Sequence, residues 1–350
     1  MKVVALTLVL VTPQLAAAAP VKVPQTQPAG MAAFFSDLPV PSGDPSRWQW
    51  SKSTAARVIE FLGYEGQLVA HRPGPVAPRS LAFPRHRGKA EKPPADGRGL
   101  GGVLYLNWTT GLKTLTDLSV DVTFHTEQKP SAAVYLQLYD FPLIVPGTDV
   151  KVGQYFGFQY WFEKGQQLKT QFIWSRWNTR DKANAWVADG GWIESAGYEN
   201  DFVGIRYPYQ WGKGTYTAHV MMRETDEVGT WYELRIYDHQ KAEWKKIGRL
   251  RFPKVGDRLP CFEDNGGSWV EVFGGTRSSQ DVGLFHYSIG GVYTCGRTVR
   301  ARQVELRYAD KLPVPNCNVA VDPDGRRVHV MYGGQTVRTT PPGKYRLKPE

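Results

Sequence analysis

Apolar residues recur at every second position from about Gly102 onward, a period that suits extended strands and excludes long amphipathic helices. Between Leu118 and Thr126, the residues Leu118, Val120, Val122 and Phe124 alternate with Ser119, Asp121, Thr123 and His125, so one set falls on each face of a strand. Tyr216, Ala218, Val220 and Met222 repeat the pattern, as do Tyr232, Leu234 and Ile236. Denser runs at Ala133 to Tyr139, Tyr155 to Phe162 and Gly283 to Ile289 read as strands covered on both faces. Near the end, Val319 to Val321 and Val328 to Tyr332 flank Asp322, Pro323, Asp324 and Gly325, which supply hairpin-turn dihedrals. About a dozen strands with little helix predict an all-β fold, a β-sandwich or jelly roll. Glycine and aromatic clusters such as Gly190-Gly191-Trp192 and Gly290-Gly291 recur at unequal intervals, which argues against a propeller.

The amino-terminal hundred residues are of a different kind. Lys2, the apolar run Val3 to Val11 and the small residues Ala16 to Ala19 have the form of a cleaved secretory signal over residues 1–19. The run is too short to cross a bilayer, which needs about 20 helical residues. A secreted, cell-surface or periplasmic location is therefore expected, with no transmembrane segment in the mature chain. Residues 20–99 read as a proline-rich, basic region or linker, expected to be dispensable for a β domain over residues 100–350. Half of the formal net charge of +10 arises between Arg72 and Arg98, among prolines that favour solvated, extended chain. A solvated spacer and contact with an anionic glycan both fit that composition, and nothing points to nucleic acid. Ser53 to Leu62 is the one helix candidate, ending at Gly63, although Arg57 to Leu62 reads equally well as a strand.

Enzyme motifs fail one by one. His286-Tyr287-Ser288-Ile289-Gly290 lacks the first glycine of a nucleophile elbow, and Gly97 to Gly102 precedes a strand where a dinucleotide fingerprint needs a helix. Asp322 and Asp324 fall short of the oxygen ligands calcium takes. The seven histidines show no metal-ligand spacing, so neither a metal nor a cofactor is expected. Cys261, Cys295 and Cys317 form no Cys-x-x-Cys pair, and in an exported chain two of them are expected to form a disulfide. Glycoside cleavage requires two carboxyl groups across a cleft, and Glu163, Glu194, Glu199, Asp201, Glu263 and Asp264 are candidates without a known separation. Twelve tryptophans are a clear excess. Trp174, Trp177, Trp186, Trp192, Tyr207, Tyr209 and Trp211 are placed in turns by this reading, where exposed rings stack on sugars, while a sandwich core is the competing place for any one of them.

The segments Gly153 to Gln159 and Phe172 to Ser175 resemble the Y-F-G-x-Q … F-S-x-W signature of an exported family catalogued as domain of unknown function 3472. Tyr207 to Tyr216 is similar to its Y-x-W-x-x-G-x-x-Y strand pair, and Trp244 to Leu250 with Pro253 to its I-G … P edge. Phe262-Glu263-Asp264 stands where the family has an acidic residue after phenylalanine, whereas Tyr198 to Phe202 lacks the family's glycines. The likeness covers about residues 100 to 300. It implies a lectin-like β-sandwich in an extracellular setting, with no agreed activity and no catalytic residues to carry over. The expectation is a non-catalytic carbohydrate-binding module for a polysaccharide or cell-wall glycan, using Trp177, Trp192, Trp211, Tyr209, Glu199, Asp201 and Glu263. The rivals are a glycoside-active enzyme with a carboxylate pair, and an adhesion or structural module that binds protein.

Overall fold

A computed structural model describes residues 35–61, 102–112, 114–127, 133–162, 168–273, 283–308, 317–322, 325–333, 336 and 338–348. The signal segment, the basic run 72–98, Glu163 and the turn residues 323–324 lie outside the described residues. Strands dominate, in two large antiparallel sheets and one small one.

In order across it, the first sheet consists of β10 (Trp192–Ala196), β11 (Phe202–Pro208), β8 (Leu168–Trp177), β7 (Gln154–Phe162), β4 (Ala133–Asp140), β16 (Gly266–Phe273), β1 (Gly102–Thr109), β19 (Gln303–Tyr308) and β22 (Gly343–Arg346). The second runs β20 (Cys317–Val321), β21 (Val328–Tyr332), β17 (Phe285–Thr294), β3 (Asp117–Phe124), β12 (Gly214–Thr225), β13 (Gly229–Asp238), β14 (Glu243–Pro253) and β9 (Ala185–Val187), with β18 (Val299–Arg300) beside β17. The small sheet joins β2 (Thr114–Leu115), β15 (Cys261–Glu263), β5 (Leu143–Ile144) and β6 (Lys151–Val152). The all-β sandwich expected from the period of two is thus the observed fold, and the predicted hairpin pairs Val319 with Val330.

Aromatic side chains fill the space between the sheets. Phe124 on β3 meets Phe158 on β7 edge-on at 5.3 Å, and the Trp211 ring lies 4.6 Å from Phe124 and 4.1 Å from Tyr160. One buried polar chain is paired throughout: Trp174 Nε1 donates to Gln154 Oε1 (2.9 Å), and the Gln154 amide donates to the Phe141 carbonyl. On the other side of the second sheet, Arg297 and Asp121 form a buried ion pair at 2.6 Å, and the guanidinium holds the Asp121 carboxyl below its ordinary value against the upward pull of burial. This core corrects two sequence expectations. Trp211 and Tyr209, expected on a sugar-stacking surface, are buried, because β11 leads them back over Phe158 and Tyr216. Trp174, Trp177, Trp186, Trp192 and Tyr207 stand in strands and not in turns.

Part of the 20–99 region reaches the same core. Phe35, Leu38, Trp50 and Val58 are buried within it, and α1 (Lys52–Phe61) begins where Ser51 Oγ accepts from the Thr54 amide at 3.1 Å. The Trp50 amide donates to the Gly296 carbonyl, and the Trp50 ring covers Gly296 (φ 59°) so closely that any Cβ there would collide with it. Removing the whole segment up to Gly99 therefore also strips side chains from the sandwich.

The expected disulfide is absent: Cys261, Cys295 and Cys317 are all buried free thiols. They sit on different elements, Cys261 in the small sheet, Cys295 in the turn after β17 and Cys317 on edge strand β20. Burial pushes the Cys261 and Cys317 thiols up to about 12. The folded protein should accordingly resist an aromatic disulfide reagent at pH 8, and release of three thiol equivalents on unfolding, counted by absorbance, checks it. Trp211→Ala should cost about 3–5 kcal/mol of folding stability, as large core truncations do. Trp192→Ala should change stability by less than about 0.5 kcal/mol, the range for exposed positions. Denaturant unfolding of the two variants measures both.

Candidate functional site

Strand alternation decides what the first sheet shows to the outside. In β7 and β8 the residues Phe156, Phe158, Phe172 and Trp174 point to the other sheet, so Tyr155, Gly157, Gln159, Gln171, Ile173, Ser175 and Trp177 take the open face. The antiparallel register lines these up in three rows across the strands. One row runs Gln171, Gln159, Tyr135, Glu271. The next runs Trp192, Arg206, Ile173, Gly157, Gln137, Trp269, Tyr105. The third runs Glu194, Gly204, Ser175, Tyr155, Asp140, Gly267, Asn107. From β10 to β1 are six inter-strand steps of about 4.8 Å, on the order of 30 Å in all.

Small residues and aromatic rings share this face. Gly157 is required, because a Cβ there would lie 2.1 Å from the Leu136 carbonyl oxygen. Gly204 leaves room for Arg206 to reach across the strand: Arg206 Nη1 donates to Ser175 Oγ at 2.9 Å, and a Cβ on Gly204 would meet both groups. The same guanidinium pairs with Glu194 at 2.7 Å, and the Tyr198 hydroxyl donates to Glu194 at 2.8 Å. Around these stand Trp177 against Tyr155 (4.9 Å), Tyr155 against Tyr135 (5.2 Å) and Tyr105 against Trp269 (5.6 Å). Trp177 Nε1 donates to the Glu199 carbonyl, which ties the exposed loop carrying Glu199 to β8.

Four polar atoms on this face are shielded from water and have no hydrogen-bond partner within the protein: Tyr135 Oη, Gln137 Oε1, Gln171 Oε1 and Trp269 Nε1. Buried polar groups are nearly always paired; these four are not, and neither are Tyr139 Oη, Trp211 Nε1 and Tyr287 Oη inside the core, but these four alone of the seven belong to side chains of the open face. The ionisable groups here are also displaced. Burial, with the Glu199 charge added, raises the Glu271 carboxyl, and burial raises Glu199 itself. The Tyr155 phenol is pushed up to about 12 by burial, and Tyr135 is raised further still. These phenols are donors at every physiological pH.

At the β1 end the face deepens into a depression of about 300 Å³, lined among others by Tyr105, Gln137, Asp140, Glu263, Asn265 and Trp269. Asp140 opens to solvent at the end of β4, yet the surrounding protein pushes its carboxyl up to about 6. Glu263 pairs with Lys151 at 2.8 Å on the rim.

Of the residues expected from sequence, Trp177, Trp192 and Glu199 belong to one end of this face and Glu263 to the depression at the other. Asp201 is exposed and only 4.0 Å from Arg180 Nε. Asp264 accepts from the Thr110 and Gly111 amides and so holds a loop. Tyr135, Gln137, Gln171, Arg206, Trp269 and Glu271 escaped the sequence reading, since each comes from a different strand or register row and no local motif joins them. The one available signal was polar residues at outward positions of otherwise apolar strands.

No known protein family and no curated protein sequence matches the chain. Among solved structures it is similar to scytalido-glutamic peptidase with a transition state analog inhibitor, at 13% identity over 67% of this chain and 98% of that chain, with a TM-score of 0.30. It is also similar to the marine PL-14 alginate lyase from Aplysia kurodai, at 8% identity over 56% of this chain and 71% of that chain, with a TM-score of 0.30.

Proposed function

We propose that the outer face of the first sheet binds an extended carbohydrate chain. The four orphaned polar atoms, Tyr135 Oη, Gln137 Oε1, Gln171 Oε1 and Trp269 Nε1, are the observation that carries the reading. They lie on β8, β4 and β16, within three inter-strand steps of about 4.8 Å and beside the rings of Tyr155 and Tyr105, a grouping of hydroxyl-binding and ring-stacking groups that suits successive sugars. Trp192, 42% exposed, serves as a stacking platform at the β10 edge. An exported setting, taken from residues 1–19, and membership of the domain of unknown function 3472 family belong to the same proposal and agree with a glycan ligand.

A panel of immobilised polysaccharides identifies the ligand. Trp192→Ala should then weaken binding by about 1–3 kcal/mol, the range for stacking on an aromatic ring. Gln137→Met keeps the side-chain volume and deletes an unpaired buried acceptor, so folding stability should hold or rise while binding falls. A Gln137→Met variant that unfolds more easily and binds as before would show that the amide serves the fold and not a ligand. Burial raises the Asp140 carboxyl to about 6, so it can donate to a sugar oxygen below that pH and only accept above it. Affinity at this end should decline through pH 6, and Asp140→Asn, a donor at any pH, should flatten the profile in a titration series.

One observation favours a second reading, in which the bound glycan is cleaved. Glu199 and Glu271, both raised by burial, flank protonated phenols and Arg206, and a raised carboxyl is the kind of acid that glycoside cleavage needs. Glu271→Gln should abolish product release from the polysaccharide while leaving binding intact, as read by reducing-end assay and pull-down. Absence of any product from the wild type restricts the function to binding.

A further inference from the structure

The opposite side of the molecule carries a second cluster, independent of the glycan face. His125 follows directly on β3, His286 stands on β17 and His329 on β21, all on the outward side of the second sheet. Their register explains the meeting. Ser288 faces His329 across the β17–β21 pair, His286 lies two residues before Ser288 on the same side, and the His125 amide donates to the His286 carbonyl at 2.9 Å. One nitrogen from each ring falls within 4.8 Å of the other two.

We propose that His125, His286 and His329 form a binding site for one divalent transition ion of the zinc class, with Asp322 orienting His329. The distances carry the inference. His286 Nε2 and His329 Nδ1 are 3.1 Å apart, and two nitrogens bound to zinc at about 2.0–2.1 Å in a tetrahedron stand about 3.3 Å from one another. His125 completes the set: one of its ring nitrogens lies within 4.8 Å of the other two, and its Nε2 contacts Ser288 Oγ, on the serine that faces His329, at 2.9 Å. His329 Nε2 lies 3.2 Å from Asp322 Oδ1, close enough for the carboxylate to favour the tautomer with the proton on Nε2, which leaves Nδ1 as the lone pair aimed at the cluster. A carboxylate behind a ligating imidazole is the usual second partner of a histidine metal site. Neutral imidazole nitrogens select zinc, copper or nickel over magnesium and calcium, which take oxygen.

The surroundings agree. Burial, assisted by Arg327 and Lys213, lowers His125 to about 4, and burial with the neighbouring His125 lowers His286 to about 4. Burial and the other two rings lower His329 as well. His125 and His286 are half-buried, which leaves a fourth position open to water or an outside ligand. The three donors come from three adjacent strands, so an ion here fastens the β20–β21 hairpin to the middle of the second sheet.

The test uses the full chain, stripped with a chelator and dialysed. Zinc added alone should bind at one equivalent per chain by calorimetry and raise Tm by several degrees, while magnesium and calcium should do neither. Cobalt(II) in place of zinc should give the visible absorption of a four-coordinate nitrogen site. His125→Ala lies beyond the end of β3 and should keep the fold while lowering zinc affinity by at least tenfold. His286→Ala should abolish the one-equivalent uptake. Should His286→Ala fail to fold, His125→Ala and the wild-type cobalt spectrum decide the matter. Absence of saturable zinc uptake in the wild type, or uptake that His125→Ala leaves unchanged, overturns the proposal.

Discussion

Two broad sheets can stay together only if the space between them is filled, and in this chain the filling is aromatic. Phe124, Phe158, Phe172, Trp174, Tyr160, Trp211 and Tyr216 interlock from both sides, several of them edge to face, so the sheets are held at the spacing large rings demand. That condition governs the rest. Once alternate residues are committed inward, the residues between them are committed outward in rows, and the chemistry of each outer face follows from the register.

Much of this was legible in the sequence and part was not. The strands around Leu118 to Phe124 and Tyr216 to Met222 appear where the alternation places them, and the α1 helix (Lys52–Phe61) overlaps the Ser53 to Leu62 candidate, beginning one residue earlier. Trp211 was misplaced because a tryptophan beside Gly212 has the same local signature whether its ring faces water or folds back over Phe124, and only the partner strand decides. The cysteines were misjudged on the same ground, since compartment argues for a disulfide but geometry between distant elements settles it. For the site, single residues such as Trp177, Trp192 and Glu199 stood out by type. The row of Gln171, Gln159, Tyr135 and Glu271 did not, because it exists only after four strands have been laid side by side.

The two outer faces differ in kind. The first is broad, with phenols, amides and raised carboxyls spread among rings and small residues, an arrangement suited to a long, uncharged or weakly charged polymer. The second is compact where β3, β17 and β21 meet, with three imidazoles and one carboxylate in reach of each other. A sandwich separates such faces by its whole thickness, so changes to one leave the other intact, and the two activities proposed are open to separate alteration.

The place of β1 in its sheet bears on how the chain reaches this state. That strand is the first of the sheet to emerge in synthesis, yet its only neighbours are β16 and β19, and the bond from Trp108 to Ser268 spans 160 residues. Until the last third of the polypeptide has been made, β1 has an unpaired edge on both sides and an apolar face with nothing to cover it. A topology so dominated by distant partners folds slowly, and its early intermediates are prone to associate with one another.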